Sequence, residues 1–160
     1  MKVYVSNKIA SLAGHSNVVD ESGAPLYSVK GKVFSATRKK SIIDSAGNVL
    51  FVVRNKFFNW FIHKAYIFDA NGNKVARVRD KMFNFRKEYF VDGIQDEIHT
   101  DGNFFSLSAQ IYRNGAPIGV IRRKIALFAD RFELEAAPAD IPFLVALVIA
   151  IDNIQDKKHN

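Results

Sequence analysis

Three stretches of the chain repeat one pattern of apolar and polar positions. Each has two apolar residues, an Asp, two further residues, a Gly and then a second alternating run. The Asp residues, 24 and 25 positions apart, are Asp20, Asp44 and Asp69, and the Gly residues are Gly23, Gly47 and Gly72. An Asp begins a turn by accepting hydrogen bonds from the backbone that follows it, and a Gly readily takes a positive φ. Each stretch is therefore predicted to form a strand, a tight turn and a second strand.

A looser copy of this hairpin runs from Ile111 to Ile121, and other alternating runs predict further strands. These runs are Lys2 to Ser6, Trp60 to Phe68, Glu88 to Asp92, Phe104 to Tyr112, and Phe132 to Ala136. Together with the hairpin arms they make about ten to twelve short strands joined by Gly, Asn and Asp turns, which is typical of a barrel or a sandwich. The sequence shows no alternation of strands with helices.

The last apolar segment, from Ile141 to Ile151, carries no polar side chain. Asp140 is suited to an N-cap and Pro142 to a first helical turn. Lys157 and Lys158 suit the C-terminal end of a helix dipole. A helix that is apolar on every side must be surrounded, and this run covers about 16 Å, roughly half the hydrocarbon core of a bilayer. We therefore predict a buried C-terminal helix that fills the interior of a closed sheet, with a transmembrane span as the weaker interpretation.

Composition indicates a folded, mainly β protein. The 160 residues are 48% hydrophobic and 12% aromatic, which predicts a single domain spanning 1–160. The chain contains no Cys, and therefore no disulfide framework, thiolate metal site or cysteine nucleophile. Its first residues alternate as a strand does and predict no signal peptide. We expect a cytoplasmic protein, or one that lies peripherally at the membrane surface.

Positive charge exceeds negative charge, with 23 Lys and Arg against 16 Asp and Glu and a net charge of +7. Such a field favours anionic partners, although it also keeps proteins soluble. Strands that return from a turn end in a basic residue, any residue and then Lys: Lys30-Gly-Lys32, Arg54-Asn-Lys56, Arg79-Asp-Lys81 and Arg122-Arg-Lys124. This spacing places both cations of each pair on one face of a strand, which in the simplest interpretation is a solvated outer face.

Two basic runs are the candidates for binding an anionic ligand. The first, within residues 30–40, contains Lys30, Lys32, Arg38, Lys39 and Lys40, with no acidic residue among them. The second is Arg122, Arg123 and Lys124. Cations near an anionic membrane contribute about 1 kcal/mol each, and the same groups could contact the phosphates of nucleic acid. A plain solvated loop stays the alternative for both runs.

The sequence offers little catalytic chemistry. It has no nucleotide-binding, nucleophile-elbow or zinc-protease motif, and its histidines are scattered at His15, His63, His99 and His159. A Ser-His-Asp arrangement that assembles only in space stays open. The densest polar cluster is Asp92, Asp96, Glu97, His99, Asp101 and Asn103, which has a fragment of EF-hand spacing and no zinc pattern. We interpret this cluster as an acidic, solvated hairpin loop and predict no catalytic residue, no metal site and no cofactor.

The repeated segments resemble a known family. The hairpins with Asp and Gly, the segments Lys56-Phe-Phe-Asn-Trp and Lys81-Met-Phe-Asn-Phe, and the run Leu147-Val-Ile-Ala-Ile-Asp-Asn-Ile are similar to LURP-one-related proteins. These proteins are relatives of the Tubby C-terminal domain and of the phospholipid scramblases, and the resemblance covers about Lys2 to Ile154. It implies a closed antiparallel barrel of about twelve strands around a central, apolar C-terminal helix. It also implies phosphoinositide-like ligands, although the Cys-rich and calcium-binding segments of scramblases have no counterpart here.

Our first functional hypothesis is a non-enzymatic, soluble binding or scaffold protein for anionic lipid headgroups or other phosphate-bearing ligands. The alternative is a nucleic-acid-binding or transcription-associated protein, and the third is an enzyme whose site forms only in the fold. Nucleic-acid barrels usually display aromatic residues on an open strand face. The aromatic runs here, Phe57 to Phe61 and Phe83 to Phe90, are interpreted as core and strand packing, which favours the first hypothesis. The oligomeric state stays open.

Overall fold

Most of the chain forms short strands, followed by one helix. A computed structural model describes residues 1–6, 15–31, 35–56, 63–80, 89–103, 108–124 and 131–158. Within these ranges the chain forms twelve strands and one helix. Their bounds are β1 Lys2–Ser6, β2 His15–Asp20, β3 Pro25–Gly31, β4 Lys40–Asp44, β5 Val49–Asn55, β6 Lys64–Asp69, β7 Lys74–Asp80, β8 Tyr89–Gly93, β9 Ile98–Asn103, β10 Ser108–Arg113, β11 Ala116–Lys124, β12 Arg131–Ala136 and α1 Ile141–Lys158.

All twelve strands belong to one antiparallel sheet that curls into a nearly closed barrel. The strand order is β8-β7-β6-β5-β4-β3-β2-β1-β12-β11-β10-β9, so that consecutive strands pair and β1 joins β12. The two edges of the sheet, β8 and β9, follow each other in the chain across residues 94–97. This short connection brings the edges together, and the predicted barrel is confirmed.

The predicted hairpin turns are confirmed by a shared set of hydrogen bonds. Asp44 Oδ1 accepts from Ala46 N at 2.9 Å and from Asn48 N at 2.8 Å. Asp20 and Asp69 use Oδ1 in the same way. The glycines Gly23, Gly47 and Gly72 have φ angles of 87°, 89° and 85°. Each turn therefore combines a carboxylate that caps the backbone with a residue that accepts left-handed geometry.

Antiparallel pairing gives the barrel two different ends. The turns after β2, β4, β6, β8 and β10 lie at one end, which we call the turn end. The strands β1, β3, β5, β7, β9 and β11 finish at the opposite end, which we call the loop end. Because β12 finishes at the turn end, α1 begins there and runs towards the loop end.

The helix α1 lies inside the barrel, as predicted. All residues from 141 to 154 are buried, and Leu144, Leu147 and Ile149 are fully inaccessible to solvent. The helix approaches β11 at Gly119, where an added Cβ would lie 2.6 Å from Leu144 Cδ1. The Asp140 backbone accepts the first helical hydrogen bond, as at an N-cap, while its carboxylate takes a bond from Arg113 Nη1 at 2.7 Å. Within the described ranges, no helix combines the length and the apolar character needed to cross a membrane.

One sequence interpretation is wrong. The segment 98–103, which we interpreted as part of an acidic hairpin loop, forms β9 and pairs with β10 from Ile98 to Asn103. The Asp, Gly and Asn residues of this segment disfavour strands weakly, and pairing along a whole neighbouring strand outweighs that preference. The strand predicted from Trp60 begins at Lys64 among the described residues, and the repeated aromatic segments 57–62 and 81–88 lie outside them.

Candidate anion-binding face

The barrel interior is polar at the loop end. Lys40, at the start of β4, is 6% exposed, and its Nζ lies 3.3 Å from Asp152 Oδ2 of α1. Asn55, at the end of β5, donates from Nδ2 to the backbone oxygen of Asn153 at 3.0 Å. Buried charges and amides are tolerated where they are paired in this way. Lys40 therefore lies inside the barrel and binds the helix there. It is not part of the surface cluster in which the sequence pattern placed it.

Arg38 and Lys39 lie half-buried on the short loop that precedes β4. The Arg38 carbonyl accepts a hydrogen bond from Asn153 Nδ2 at 3.0 Å. The neighbouring Thr37 carbonyl accepts from Asn55 N at 2.7 Å. These bonds hold the two cations beside the end of β5, on the loop end of the barrel.

Lys30 is exposed near the end of β3. Its neighbours in register are His15 on β2 and Ser41 on β4, neither of which is a carboxylate. Lys32, the other member of this predicted pair, lies outside the described residues. Lys30 therefore stays a candidate for an anionic ligand.

The second predicted run lies beside an acidic strand. Arg122 Nη1 lies 3.1 Å from Glu133 Oε1 and 2.6 Å from Glu135 Oε2. Lys124 Nζ lies 3.5 Å from Glu133 Oε2. The hydrogen bond from Arg122 holds the pKa of Glu135 below its ordinary value. We call the outer surface of β11, β12 and β1 the paired face, because Arg122, Lys124 and Lys2 already have carboxylate partners there, Lys2 through Glu21 at 3.5 Å. Arg131 of the same face lies 5.9 Å from the centroid of the Tyr4 ring.

Arg123 differs from its two neighbours in this run. It is half-buried, and the alternation of the strand places it on the opposite side of β11 from Arg122 and Lys124. The three cations that adjoin in sequence therefore do not form one cluster in the fold.

A denser group of cations lies across the outer surface of β5 to β8, which we call the basic face. Its six members are Arg54, Lys56, Lys64, Lys74, Arg77 and Arg79. Tyr66 lies in register between Arg54 and Arg77, and Lys64 lies opposite Arg79. Lys56 joins the group because its backbone N donates to the Lys64 carbonyl at 3.0 Å.

Few acids offset these six cations. Residues 49–56, 64–80 and 89–93 contain three acids, of which Asp69 caps a turn and Asp80 is buried inside at 6% exposure. Asp92 lies on the outer face, where Oδ2 accepts from Arg77 Nη2 at 2.8 Å and from Arg79 Nε at 2.9 Å. Burial alone would raise the pKa of Asp92, but the hydrogen bonds from both arginines outweigh it and lower that pKa. Lys56 makes a further interaction of its own. Among the described residues, the other five cations against one outward-facing carboxylate leave a surplus of four positive charges.

Aromatic rings support several of these cations. Arg54 lies 5.4 Å from the centroid of the Phe68 ring, and Lys74 lies 4.9 Å from that of Tyr66. Arg79 lies 4.6 Å from the ring of Phe90, which is 38% exposed. Phe90 therefore lies on the outer surface of β8, so that it packs along the strand and not in the core. A cation above a ring is held in place without being neutralised.

Sequence reasoning found this face only in part. The spacing of Arg54-Asn-Lys56 identified two cations on one side of a strand, but nothing in the local pattern identified β6 and β7 as their neighbours. The alternation of Arg77 and Arg79 along β7 was a usable signal, whereas Lys74 lies opposite Phe68 through an irregularity in the register of β6 and β7. The predicted clusters instead favoured cations that are consecutive in sequence.

The acidic residues of the predicted polar cluster and His63 each interact with a different partner. Asp92 binds the arginines of the basic face, whereas Asp96 accepts from Asn114 Nδ2 at 2.9 Å. His63 donates its backbone N to Asp80 Oδ1 at 2.9 Å, and its Nδ1 lies 3.4 Å from Asp80 Oδ2. No hydroxyl group of the described residues is hydrogen-bonded to His63. The Asp–His pair thus serves to join β6 to β7.

Comparisons with known proteins place this fold in a family. The family model for LURP-one-related proteins matches residues 1–152. The chain belongs to the LURP-one-related family. An X-ray structure of a protein from Arabidopsis thaliana has the same fold, with 18% identity, a TM-score of 0.60, and coverage of 96% of this chain and 91% of that one. No curated protein matches the sequence.

The structure explains a segment by which the sequence resembles LURP-one-related proteins. Leu147 to Ile151 are buried apolar residues, and Asp152 and Asn153 follow them directly. Asp152 forms a salt bridge with Lys40. Asn153 is hydrogen-bonded to the loop before β4 and to the end of β5. The apolar run of this LURP-one-related helix is therefore followed by two polar residues because the barrel end contains the groups that pair with them.

Proposed function

We propose that this protein is a non-enzymatic binding protein that uses the basic face to recognise phosphate-bearing anionic ligands. The first candidate is an acidic lipid headgroup at a membrane surface. The observation that carries the proposal is the surplus of four positive charges among the described residues of β5 to β8, where Arg54, Lys64, Lys74, Arg77 and Arg79 face Asp92 alone. Lys30, Arg38 and Lys39 extend the positive surface towards the loop end.

The arrangement suits a ligand with several phosphate groups. Cations separated across three strands cannot all reach one small anion, but they can meet the phosphates of a surface or of a polyphosphorylated molecule. Arginine and lysine near an anionic surface each contribute about 1 kcal/mol, and exposed charges act over about 8–10 Å at physiological ionic strength. A face of this charge therefore supports salt-sensitive association.

The aromatic residues of the basic face favour phosphate recognition over base recognition. Proteins that bind single-stranded nucleic acid stack bases on open aromatic faces. Here Arg54, Lys74 and Arg79 each occupy one face of a neighbouring ring. The rings thus position cations, which is a role suited to phosphate groups.

The proposal is tested by co-sedimentation with vesicles of phosphatidylcholine mixed with phosphatidylserine, beside vesicles of phosphatidylcholine alone. We expect binding to the acidic vesicles that weakens as salt rises. The double variant Arg54→Gln with Lys64→Gln should lose up to about 30-fold in affinity, at about 1 kcal/mol per charge. Its thermal midpoint should stay close to that of the parent, since both side chains lie on the outer surface.

The matched control is Lys2→Gln with Arg131→Gln, which removes the same charge from the paired face. We expect this control to bind nearly as the parent does. Equal losses in the two double variants would show that only net charge matters and would contradict a specific face. Tripolyphosphate and duplex DNA provide two further arms of the experiment. Binding of tripolyphosphate without vesicle binding would indicate a free phosphate compound, whereas stronger binding of DNA than of vesicles would favour the nucleic-acid alternative.

A further inference from the structure

An open cleft lies on the outer surface of the barrel, where β1 has β2 on one side and β12 on the other. Its volume is about 610 Å³, which is in the range of small-ligand sites. Tyr4 and Val19, which are in register and half-buried, form its floor. Three strands separate β1 from β5 and three separate β12 from β8, so the cleft and the basic face lie on opposite sides of the barrel.

The charges that line the cleft are separated by sign. At the loop end, Arg131 at the start of β12 lies in register with Lys124 at the end of β11. At the turn end, Glu21 lies in the turn between β2 and β3. Glu133, between the two ends, is paired with Arg122 and Lys124 and adds little net charge. The cleft is therefore positive at one end and negative at the other, with an apolar floor between them.

Arg131 supplies a guanidinium group that has no carboxylate partner in the described part of the chain. Its Cζ lies 5.9 Å from the centroid of the Tyr4 ring, whereas Arg122 and Lys124 of the same face both form salt bridges with Glu133. A cation above a ring is held in place without being neutralised. A planar guanidinium group binds a carboxylate through two parallel hydrogen bonds. Arg131 is therefore suited to an anionic group of a ligand.

The acidic end of the cleft is accessible as well. The Glu21 side chain is 65% exposed, and its partner Lys2 places Nζ 3.5 Å from Glu21 Oε1. Exposed ion pairs of this kind are weak, so an ammonium group of a ligand can replace Lys2 at little cost. The neighbouring Asp20 instead uses Oδ1 to accept from the backbone of its own turn. Glu21 is therefore the acidic contact for a cationic group.

The strand register sets the distance between the two ends. Arg131 lies opposite Ser6 of β1, whereas Asp20, which precedes Glu21, lies opposite Val3. Three residues along β1 span about 10 Å, and β12 and β2 lie about 10 Å apart on its two sides, so the backbones of the two ends are roughly 14 Å apart. The long side chains of Arg131 and Glu21 shorten the gap between their charges. An extended peptide of two or three residues spans about 7–11 Å and fits this gap.

We propose that the cleft is a second binding site, which takes a short peptide with a free carboxylate at one end and a free ammonium group at the other. The carboxylate binds Arg131, the ammonium group binds Glu21, and an apolar side chain packs on Tyr4 and Val19. A polyphosphate would meet Glu21 and Glu133 as well as the cations, so the cleft differs in its chemistry from the basic face. This inference does not depend on the function proposed for that face.

The probe is the tripeptide alanyl-leucyl-alanine, titrated into isotope-labelled protein while NMR amide spectra are recorded. We expect saturable shifts of the amide signals of Tyr4 and Val19. The C-terminally amidated peptide lacks the carboxylate, and the N-acetylated peptide lacks the ammonium group. Affinity should fall about tenfold for the amidated peptide and about threefold for the acetylated one, because the Arg131 contact has two charge-assisted hydrogen bonds and the Glu21 contact is exposed.

Variants assign the two contacts, and the same spectra show that each variant is folded. Arg131→Gln should lower the affinity for the free tripeptide about tenfold and leave that for the amidated peptide nearly unchanged. Arg131→Lys should lose about threefold, since lysine keeps the charge without the planar fork. Glu21→Gln should lose about threefold with the free peptide and nothing with the acetylated one. Glu97→Gln is the matched control, which removes the same charge from the exposed β8–β9 turn and should bind as the parent does.

The contrary outcomes are equally specific. Absence of shifts at Tyr4 and Val19 with the free tripeptide at millimolar concentrations would overturn the inference, as would an affinity that amidation or Arg131→Gln leaves unchanged. Equal affinities for the free and the acetylated peptides would mean that the cleft takes carboxylates in general, which contradicts a peptide site. Binding to acidic vesicles tests the basic face separately, so neither result depends on the other.

Discussion

Arg54-Asn-Lys56 and Arg122-Arg-Lys124 occupy equivalent places at the loop ends of β5 and β11, yet the two motifs have opposite surroundings. On the paired face, Arg122 lies in register with Glu133, which forms salt bridges with both Arg122 and Lys124. On the basic face, the neighbouring strands bring Lys64, Arg77 and Arg79 alongside Arg54 and Lys56. Similar motifs therefore give a neutralised surface in one place and a strongly positive one in the other.

The difference teaches that a cationic motif acquires its function from the strands on either side of it. Exposed ion pairs contribute about 0–1 kcal/mol to stability, so the paired face gains little free energy from its contacts. Its main effect is to cancel the field of Arg122 and Lys124. The basic face keeps its field because its cations lie above aromatic rings and share one carboxylate.

The largest expected effect comes from disrupting α1, the buried helix around which the strands of both faces pack. Val148 is 1% exposed in the centre of α1, and Val148→Asp would bury an unpaired carboxylate inside the barrel. Such burial costs several kcal/mol against a typical stability of about 5–15 kcal/mol, so we expect no cooperative unfolding transition in urea. Val49→Asp, at a position 39% exposed on β5, is the control and should unfold as the parent does. An unchanged midpoint for Val148→Asp would mean that the helix is not the core of the barrel.

A second variant would convert the basic face into a paired face. Tyr66 lies in register between Arg54 and Arg77, so Tyr66→Glu places a carboxylate among the cations as Glu133 lies beside Arg122. We expect acidic-vesicle binding to fall about fivefold or more, since the new charge offsets a cation at about 1 kcal/mol. Tyr112→Glu on β10 adds the same charge elsewhere and should have a smaller effect. Equal losses would remove the distinction between the faces.

The smallest expected effect is the response of the paired face to acid. The hydrogen bond from Arg122 lowers the pKa of Glu135 below 4.5, so this carboxylate favours the folded state above that pH and loses its contribution as pH falls through the lowered pKa. Glu135→Gln should therefore lower the thermal midpoint slightly at about pH 6, and the difference from the parent should shrink as pH falls through the lowered pKa of Glu135. The measurement is a series of thermal melts across this range. A difference between parent and variant that grows in acid would have the opposite sign and would contradict the pairing.

The sequence by itself determined the local elements and the general architecture. Asp44 specifies a turn because its carboxylate accepts hydrogen bonds from the backbone of the residues that follow, and Gly47 specifies it because glycine accepts a positive φ. The same signal recurs at Asp20 and Asp69. The apolar run from Ile141 to Ile151 requires burial on every side, which only an enclosed position satisfies. These features depend on residues that are close in sequence, so they can be identified without knowledge of the fold.

Only the tertiary structure decided what each cation does. Lys39 and Lys40 adjoin in sequence, yet Lys39 is half-buried on the loop while Lys40 pairs with Asp152, which is 112 residues away. An alternating pattern shows which residues share a face of a strand, but it contains no information on which strand lies next to that face or on which charges that strand carries. Glu133 in register with Arg122, and Arg79 in register with Lys64, are pairings of this kind. The charge of each surface is therefore a property of strand order, because it sums side chains that the sequence keeps far apart and the barrel brings into register.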